Sequence, residues 1–194
     1  IHTWLNNHAI YLNKKQTNEM VYQFCFGKKD RRPCYEYQNK RIVTHHKKLF
    51  IINLDIQPQK DTYSISSDKS LQITKNIRCT LKYNSKIGID PKFINDITIG
   101  FRKDGESIYL RELNKKQSLK KFFQRNNIPW WIRSSIPLIY YQDTIIGVVG
   151  FSINSKFLIA NGIQIIQSPS YHSILDLLPQ MNLDSLVDLS TMPV

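Results

Sequence analysis

The sequence predicts an α+β fold in which a small helical pair and a β-meander are followed by a β-rich C-terminal domain with one short basic helix. Three observations predict it. Apolar residues recur at helical spacing in the first 26 residues, short strand-like runs separated by polar pairs come next, and further strand-like runs surround the segment 119–141. Because helical and strand-like segments are grouped and do not alternate, we expect an α+β protein.

The first 26 residues predict two helices. The first covers residues 3–12, and the second begins at Thr17 and is closed by Gly27. The apolar positions of the second helix recur at helical spacing and are Met20, Val21, Phe24 and Cys25. Both helices are short, so we expect them to be part of a small α+β unit.

Three strand-like runs then predict the β-meander, at residues 34–37, 41–46 and 49–54. His45 and His46 both fall in the second run. Because neighbouring side chains on a strand point to opposite faces, we expect that the two histidines share no metal ion.

A polar stretch around Pro58 predicts the boundary between two domains. We assign residues 1–56 to the first domain, residues 57–162 to the β-rich C-terminal domain and residues 163–194 to an acidic amphipathic tail. Leucines at helical spacing predict one or two short helices in the tail, split by Pro179. The tail can dock on the body through its apolar face or cover a basic surface, and we expect docking.

Residues 118–129 predict a short basic helix with sharp ends. Ser118 suits the N-cap, and the Asn126-Asn127 pair followed by Pro129 stops the helix. Helical spacing places three apolar residues on one face, and these are Leu119, Phe122 and Phe123. We expect this side to dock and the cationic side to face outward.

Trp130 and Trp131 follow the helix in a proline-containing turn. Each indole can be a platform on which a base stacks or a plug in the core. We expect Trp131 to pack and Trp130 to be the more exposed of the two.

The net charge is +12, and no lysine or arginine follows Lys156. A strongly basic body attracts polyanions, nucleic acid first and an anionic membrane surface second, although the charge can also serve solubility alone.

No apolar run reaches the roughly 20 residues that a bilayer requires, and the first residues lack a signal sequence. We therefore expect a cytoplasmic protein without a membrane partner. The chain starts without Met inside a helical pattern, so we expect it to be part of a longer protein.

The sequence contains no motif that would hold a nucleotide or carry catalysis. Neither G-x-x-x-x-G-K nor G-x-G-x-x-G occurs, the acidic residues and histidines form no catalytic spacing, and no serine lies in a nucleophile-elbow context. The three cysteines, which form no C-x-x-C pair, predict reduced structural thiols. We predict no catalytic residue, no cofactor site and no metal site, and we expect that the chain alone neither binds nor hydrolyses ATP.

Residues 119–138 read L-K-K-F-F-Q-R-N-N-I-P-W-W-I-R-S-S-I-P-L and lead into an apolar run that ends at Gly150. This segment resembles the C-terminal domain of bacterial tRNA(Ile)-lysidine synthetase, whose pattern is close to L-K-K-x-F-Q-x-x-x-x-P-P-W-x-R-x-x-I-P-L before an apolar hairpin. The family's F-R-x-x-G-E turn is matched by Phe101, Arg102, Gly105 and Glu106. Trp130 replaces the second proline, and residues 112–117 replace a loop that is often richer in Gly and Arg.

Residues 1–56 are similar to the middle, substrate-binding domain of the same family, in which a helical pair that begins with a W-L motif leads into a β-meander. Here the motif is Trp4-Leu5. The resemblance ends near Gly162, so it does not cover the tail.

The resemblance implies the function. An enzyme of this family uses ATP, with Mg, in an N-terminal domain to adenylate C2 of the wobble cytidine in a CAU-anticodon tRNA(Ile), and lysine then displaces AMP. The present chain would be part of this ATP-dependent ligase but inactive alone. Its implied role is to position the tRNA, and the C-terminal domain would take the acceptor stem. The implied partners are tRNA(Ile) and the chain's own N-terminal catalytic domain.

The candidate tRNA-binding residues are cations, because phosphates dominate the surface of A-form RNA. The first cluster lies around the signature and comprises Arg102, Lys103, Arg111, Lys115, Lys116, Lys120, Lys121, Arg125 and Arg133. The second cluster comprises Lys28, Lys29, Arg31 and Arg32. For Arg133 a structural role is an equal alternative, in which it braces the turn by an ion pair or by stacking on an indole.

Two other functions stay open. The chain can be an autonomous RNA-binding or adaptor module without a catalytic domain, or a protein-interaction domain in which the aromatic patch and the acidic tail form a homodimer interface.

Overall fold

The computed structural model describes residues 1–27, 33–54, 62–65, 70–74, 77–110 and 115–183. The chain divides into two compact units, one formed by residues 1–57 and 175–194 and the other by residues 58–174. The described strands pair in antiparallel sheets and the few helices do not alternate with them, so the predicted α+β class is confirmed.

In these residues the helices are α1 (His2–Asn7), α2 (Lys14–Phe26), α3 (Leu119–Arg125) and α4 (Tyr171–Leu177). The strands are β1 (Cys34–Tyr37), β2 (Lys40–His45), β3 (Lys48–Asn53), β4 (Tyr63–Ser64), β5 (Ser70–Thr74), β6 (Ile77–Ile89), β7 (Ile97–Gly100), β8 (Ser107–Leu110), β9 (Lys115–Ser118), β10 (Leu138–Tyr141), β11 (Thr144–Val148), β12 (Ser152–Ile153), β13 (Leu158–Ser168) and β14 (Gln180–Asn182). None of the helices described is long and apolar enough to cross a membrane.

The first unit combines α1 and α2 with an antiparallel sheet of order β1-β2-β3-β14. Its core joins helix residues such as Leu5 and Met20 to Ile42, Leu49 and Ile51 of the sheet. The predicted helical pair and β-meander are therefore present, and β1 has the bounds predicted for it.

Helix α2 begins earlier than predicted. Its N-cap is Asn13, whose side chain accepts a hydrogen bond from the Gln16 backbone N–H at 2.9 Å, while the Gln16 side chain accepts one from the Asn13 N–H at 3.0 Å. Thr17, the predicted start, lies inside the helix, where its hydroxyl donates to the Asn13 carbonyl at 3.0 Å. The prediction was wrong because the first turn is polar, so the apolar periodicity starts one turn after the capping box.

The turn between β2 and β3 also differs from the prediction. His46 and Lys47 have positive φ values of 47° and 60°, so His46 lies in the hairpin turn and not on the strand. The rings of His45 and His46 meet edge to face, with centroids 4.1 Å apart. The expectation that they point to opposite faces was therefore wrong. In the part of the chain that is described, no group of three or more potential ligands is arranged to hold a metal ion.

The second unit is built from two larger antiparallel sheets and one hairpin. The sheets have the orders β12-β11-β10-β7-β4 and β13-β6-β5, and β8 pairs with β9. Apolar residues of both sheets share one core, in which Ile89 and Ile163 join Ile97, Ile99 and Ile139. Cys79 lies in this core as a free thiol, and burial raises its pKa to about 12.

The segment after residue 162 is not a separate tail over its described part. Strand β13 continues through the predicted boundary to Ser168, because its residues from Gln164 onward pair with β6. After α4, Gln180 to Asn182 add strand β14 to the edge of β3. Apart from Leu183, the leucines that predict a second helix after Pro179 lie outside the described residues, from position 184 onward. The apolar side chains of Met181 and Leu183 pack on the core of the first unit. Residues 184–194, which carry two of the tail's acids, lie outside the described residues.

Gly88 and Gly162 bring strands β6 and β13 into very close backbone contact. A Cβ atom at Gly162 would lie 2.4 Å from the carbonyl carbon and oxygen of Gly88, and one at Gly88 would lie 2.7 Å from the Gly162 carbonyl carbon. Because backbone atoms cannot move aside as a flexible side chain can, the two glycines are required for this packing.

We expect Gly162→Ala to lower the free energy of unfolding by about 1–3 kcal/mol, which is the usual cost of overpacking. Chemical denaturation measures the change. As a control, Ile159→Ala at an exposed position of β13 should change stability by under about 0.5 kcal/mol. Equal stabilities for Gly162→Ala and the unaltered protein would contradict the close approach.

Candidate nucleic-acid interface

Helix α3 separates an apolar face from a cationic one. Leu119, Phe122 and Phe123 are at most 1% exposed, whereas Lys120, Lys121 and the rest of the outer face are exposed. The Ser118 hydroxyl accepts a hydrogen bond from the Lys121 N–H at 3.3 Å, as expected for the N-cap. The predicted orientation of the helix is confirmed.

The two asparagines after α3 end it as predicted. The Asn126 side chain donates to the Phe122 carbonyl at 2.9 Å. Asn127 takes the left-handed conformation with φ 53°, and the Ile128 N–H then donates to the Phe123 carbonyl at 2.9 Å. This arrangement satisfies the last carbonyls of the helix before Pro129.

The position of the lysines on α3 does not favour helix stability. Lys120 and Lys121 occupy the first turn, where the positive end of the helix dipole repels cations. Only Arg125, in the last turn, has a sign that suits the dipole. The two lysines therefore give α3 a cationic end that its own stability does not require.

The hairpin β8–β9 extends the cationic surface. Lys115 and Lys116 are exposed on β9, which runs directly into α3. Tyr109 is paired with Lys116 in the hairpin, and the Lys156 ammonium lies 5.8 Å from the centre of the Tyr109 ring. Lys156 was not predicted as a site residue, because only the folding of the chain brings it beside residues almost 50 positions earlier.

Glu106 fixes the turn that carries Arg102 and Lys103. Its carboxylate accepts hydrogen bonds from the Lys103 N–H at 2.6 Å and from the Tyr140 hydroxyl at 3.0 Å. Its backbone carbonyl accepts from the Leu119 N–H at 3.0 Å, at the first residue of α3. Burial and then the negative charge of Glu106 raise the pKa of Tyr140, which keeps its hydroxyl protonated as the donor.

We call the exposed cations of this region the α3–hairpin surface, and its members are Lys103, Lys115, Lys116, Lys120, Lys121, Arg125 and Lys156. Arg102, which is half-buried, lies 3.9 Å from the exposed carboxylate of Asp104, a separation at which an ion pair contributes little. Among the described residues of segment 101–125 the acids are Asp104 and Glu106. The cations of the α3–hairpin surface outnumber them, so the surface has a net positive charge.

Arg133 does not belong to this surface. It is 9% exposed, and its guanidinium donates to the Ile128 carbonyl from Nε at 2.9 Å and from Nη2 at 2.7 Å. Of the two roles considered for Arg133, the geometry matches the structural brace, and the hydrogen bonds to the Ile128 carbonyl form it. The tRNA contact predicted for Arg133 is therefore withdrawn.

The two tryptophans contact each other through their rings. Trp130 and Trp131 are both half-buried, and their rings meet edge to face with centroids 5.9 Å apart. Neither ring is a fully buried plug or a fully exposed platform.

Five predicted site residues lie outside the described residues. These are Arg111 in the first cluster and Lys28, Lys29, Arg31 and Arg32 in the second.

A small α+β protein with exposed cations gathered on one hairpin and one helix has the features of a nucleic-acid-binding module. Comparison with known proteins shows what the chain is similar to. Residues 97–167 match the family model described as the TilS substrate C-terminal domain. The resemblance to the C-terminal portion of tRNA(Ile)-lysidine synthases is thereby confirmed, and the chain is a relative of that portion.

Two curated relatives illustrate the match. The tRNA(Ile)-lysidine synthase of Coxiella burnetii (strain RSA 493 / Nine Mile phase I) is 31% identical over 159 residues, which are 79% of this chain and 35% of the relative. That of Legionella pneumophila (strain Lens) is 27% identical over 169 residues, which are 83% of this chain and 37% of the relative. The chain thus spans about a third of the length of these relatives.

A solved structure described as the crystal structure of the TILS C-terminal domain aligns with 57% of this chain and 98% of its own, at 17% identity and a TM-score of 0.46.

The brace formed by Arg133 gives a stability prediction. We expect Arg133→Ala to lower the free energy of unfolding by about 2–3 kcal/mol, because it removes charge-assisted hydrogen bonds and leaves a carbonyl without these donors. Arg125→Ala is the matched control, since that arginine is exposed, and should cost under about 0.5 kcal/mol. Chemical denaturation of both variants measures the two losses of unfolding free energy. Equal losses would show that Arg133 does not stabilise the fold more than Arg125 does.

Proposed function

We propose that this chain is the tRNA-binding part of a tRNA(Ile)-lysidine synthase. The observation that carries the proposal is the α3–hairpin surface, which lies within the residues that match the family model. The names of the relatives, all tRNA(Ile)-lysidine synthases, support the choice of substrate.

In this proposal the chemistry belongs to an N-terminal domain of the parent enzyme. That domain binds ATP with Mg, adenylates C2 of the wobble cytidine of CAU-anticodon tRNA(Ile) and transfers lysine to it. The present chain supplies no catalytic residue. It holds the tRNA, and binding remote from the reacting atom assists the reaction because it fixes the orientation of the substrate.

The cations of the α3–hairpin surface suit the backbone of an RNA stem. The major groove of A-form RNA is too deep and narrow for side chains to read, so stems are held through phosphates and 2′-hydroxyls. Lysines on β9 and on the first turn of α3 present ammonium groups along one continuous stretch of chain. We assign this surface to the acceptor stem.

We expect Lys120→Ala combined with Lys121→Ala to weaken tRNA binding and to flatten its salt dependence. Each lost phosphate contact should reduce the slope of log K against log salt concentration by about one unit. The melting temperature should stay the same or rise slightly, because the helix dipole disfavours both lysines. Filter binding of tRNA(Ile) at several salt concentrations measures the effect.

Two control variants separate binding from folding. Lys82→Ala with Lys86→Ala removes the same charge from exposed positions of β6 and should leave the affinity closer to that of the unaltered protein. Phe123→Ala, on the buried face of α3, should instead cost about 3–5 kcal/mol of stability. If the α3 double variant binds tRNA as tightly as the unaltered protein at every salt concentration, this helix is not the contact.

A further inference from the structure

A pair of exposed aromatic rings stands on the outer face of helix α2, far in sequence from the α3–hairpin surface. Tyr22 is 67% exposed and Phe26 is 69% exposed. Their ring centroids lie 5.4 Å apart with 36° between the planes. The opposite face of α2 buries Met20 and Val21 in the core, so these two rings are not needed to hold the helix on its sheet.

The exposed neighbours of the pair on this side of α2 are polar, and they are Lys15, Glu19 and Gln23. Polar side chains therefore border the two rings along the helix. In sequence, residues 1–33 contain six lysines and arginines and two carboxylates, and four of these cations follow Phe26 within six positions, outside the described residues. Two isolated rings fall short of a stable protein interface, which buries about 800 Å² on each partner around an apolar core. A flat, uncharged base attached to an anionic backbone matches both the rings and the charge.

We propose that Tyr22 and Phe26 form a stacking platform for unpaired bases of an RNA. Bases within a stem are already stacked on their neighbours, so only nucleotides in a loop, a bulge or a single-stranded end can present a free face to the rings. The platform rests on the proposed RNA-binding function and adds to it a contact that selects unpaired nucleotides, in the unit that does not carry the α3–hairpin surface.

The test uses the full chain and two probes, a short single-stranded RNA and the duplex that it forms with its complement. Tyr22→Ala with Phe26→Ala should weaken binding of the single strand about tenfold or more and leave duplex binding unchanged, because base stacking on an aromatic side chain is lost. Tyr22→Leu with Phe26→Leu keeps apolar area without a π-face and should lose as much. Tyr22→Phe with Phe26→Tyr keeps both rings and should bind as the unaltered protein does.

Two further measurements complete the design. Tyr83→Ala, at an exposed tyrosine of the other unit, is the matched control and should leave binding of the single strand unchanged. Light scattering on the alanine variant should show the same mass as the unaltered protein.

The outcomes separate the platform from the proposed function. The platform is overturned if the alanine variant binds the single strand like the unaltered protein, if the leucine variant keeps its affinity, or if the alanine variant changes the oligomeric state, which would mean that a second copy covers the face. If the unaltered protein fails to bind tRNA(Ile) at all, the proposed function itself fails. If the unaltered protein binds tRNA(Ile) but the aromatic substitutions do not change its affinity for the single strand, only the stacking platform is overturned.

Discussion

The hydrogen bonds of Glu106 join the parts of the second unit on which the candidate interface depends. Its carboxylate accepts hydrogen bonds from the Lys103 backbone N–H and from the hydroxyl of Tyr140, a residue of strand β10. Its backbone carbonyl accepts a hydrogen bond from the first N–H of α3. One residue thus links a surface turn, a core strand and the start of the basic helix. The carboxylate stabilises this arrangement through its hydrogen bonds, and its single negative charge is outnumbered by the cations of the α3–hairpin surface.

The basic helix divides two tasks between its faces. The apolar face is buried and secures α3 to the unit, whereas the cations of the outer face contribute little to stability, and those of the first turn oppose the helix dipole. Because most of this charge does not stabilise the helix, its placement is better explained by binding to phosphates. The same reasoning distinguishes two arginines of one segment. The buried guanidinium of Arg133 donates to a backbone carbonyl, whereas Arg125 is exposed on the outer face of α3.

Local signals predicted much of this unit, and non-local contacts account for most of what was missed. Helix α3 was predicted correctly because Ser118, the apolar spacing and the asparagine pair all lie within a dozen residues. Strand β14 was not, because it pairs with residues about 130 positions earlier and has no pattern of its own. The hairpin turn at His46 lacks the Asn-Gly signal that marks positive φ values. Burial of Arg133 depends on tertiary packing, which spacing does not reveal.

Protection of lysines from acetylation tests most directly whether tRNA lies against the α3–hairpin surface. Mass spectrometry of the full chain, acetylated with and without tRNA(Ile), reports each lysine separately. If tRNA covers this surface, Lys115, Lys116, Lys120 and Lys121 lose reactivity when tRNA is bound, whereas Lys82 on β6 keeps it. Unchanged reactivity at these four lysines under saturating tRNA would show that tRNA does not lie against the α3–hairpin surface.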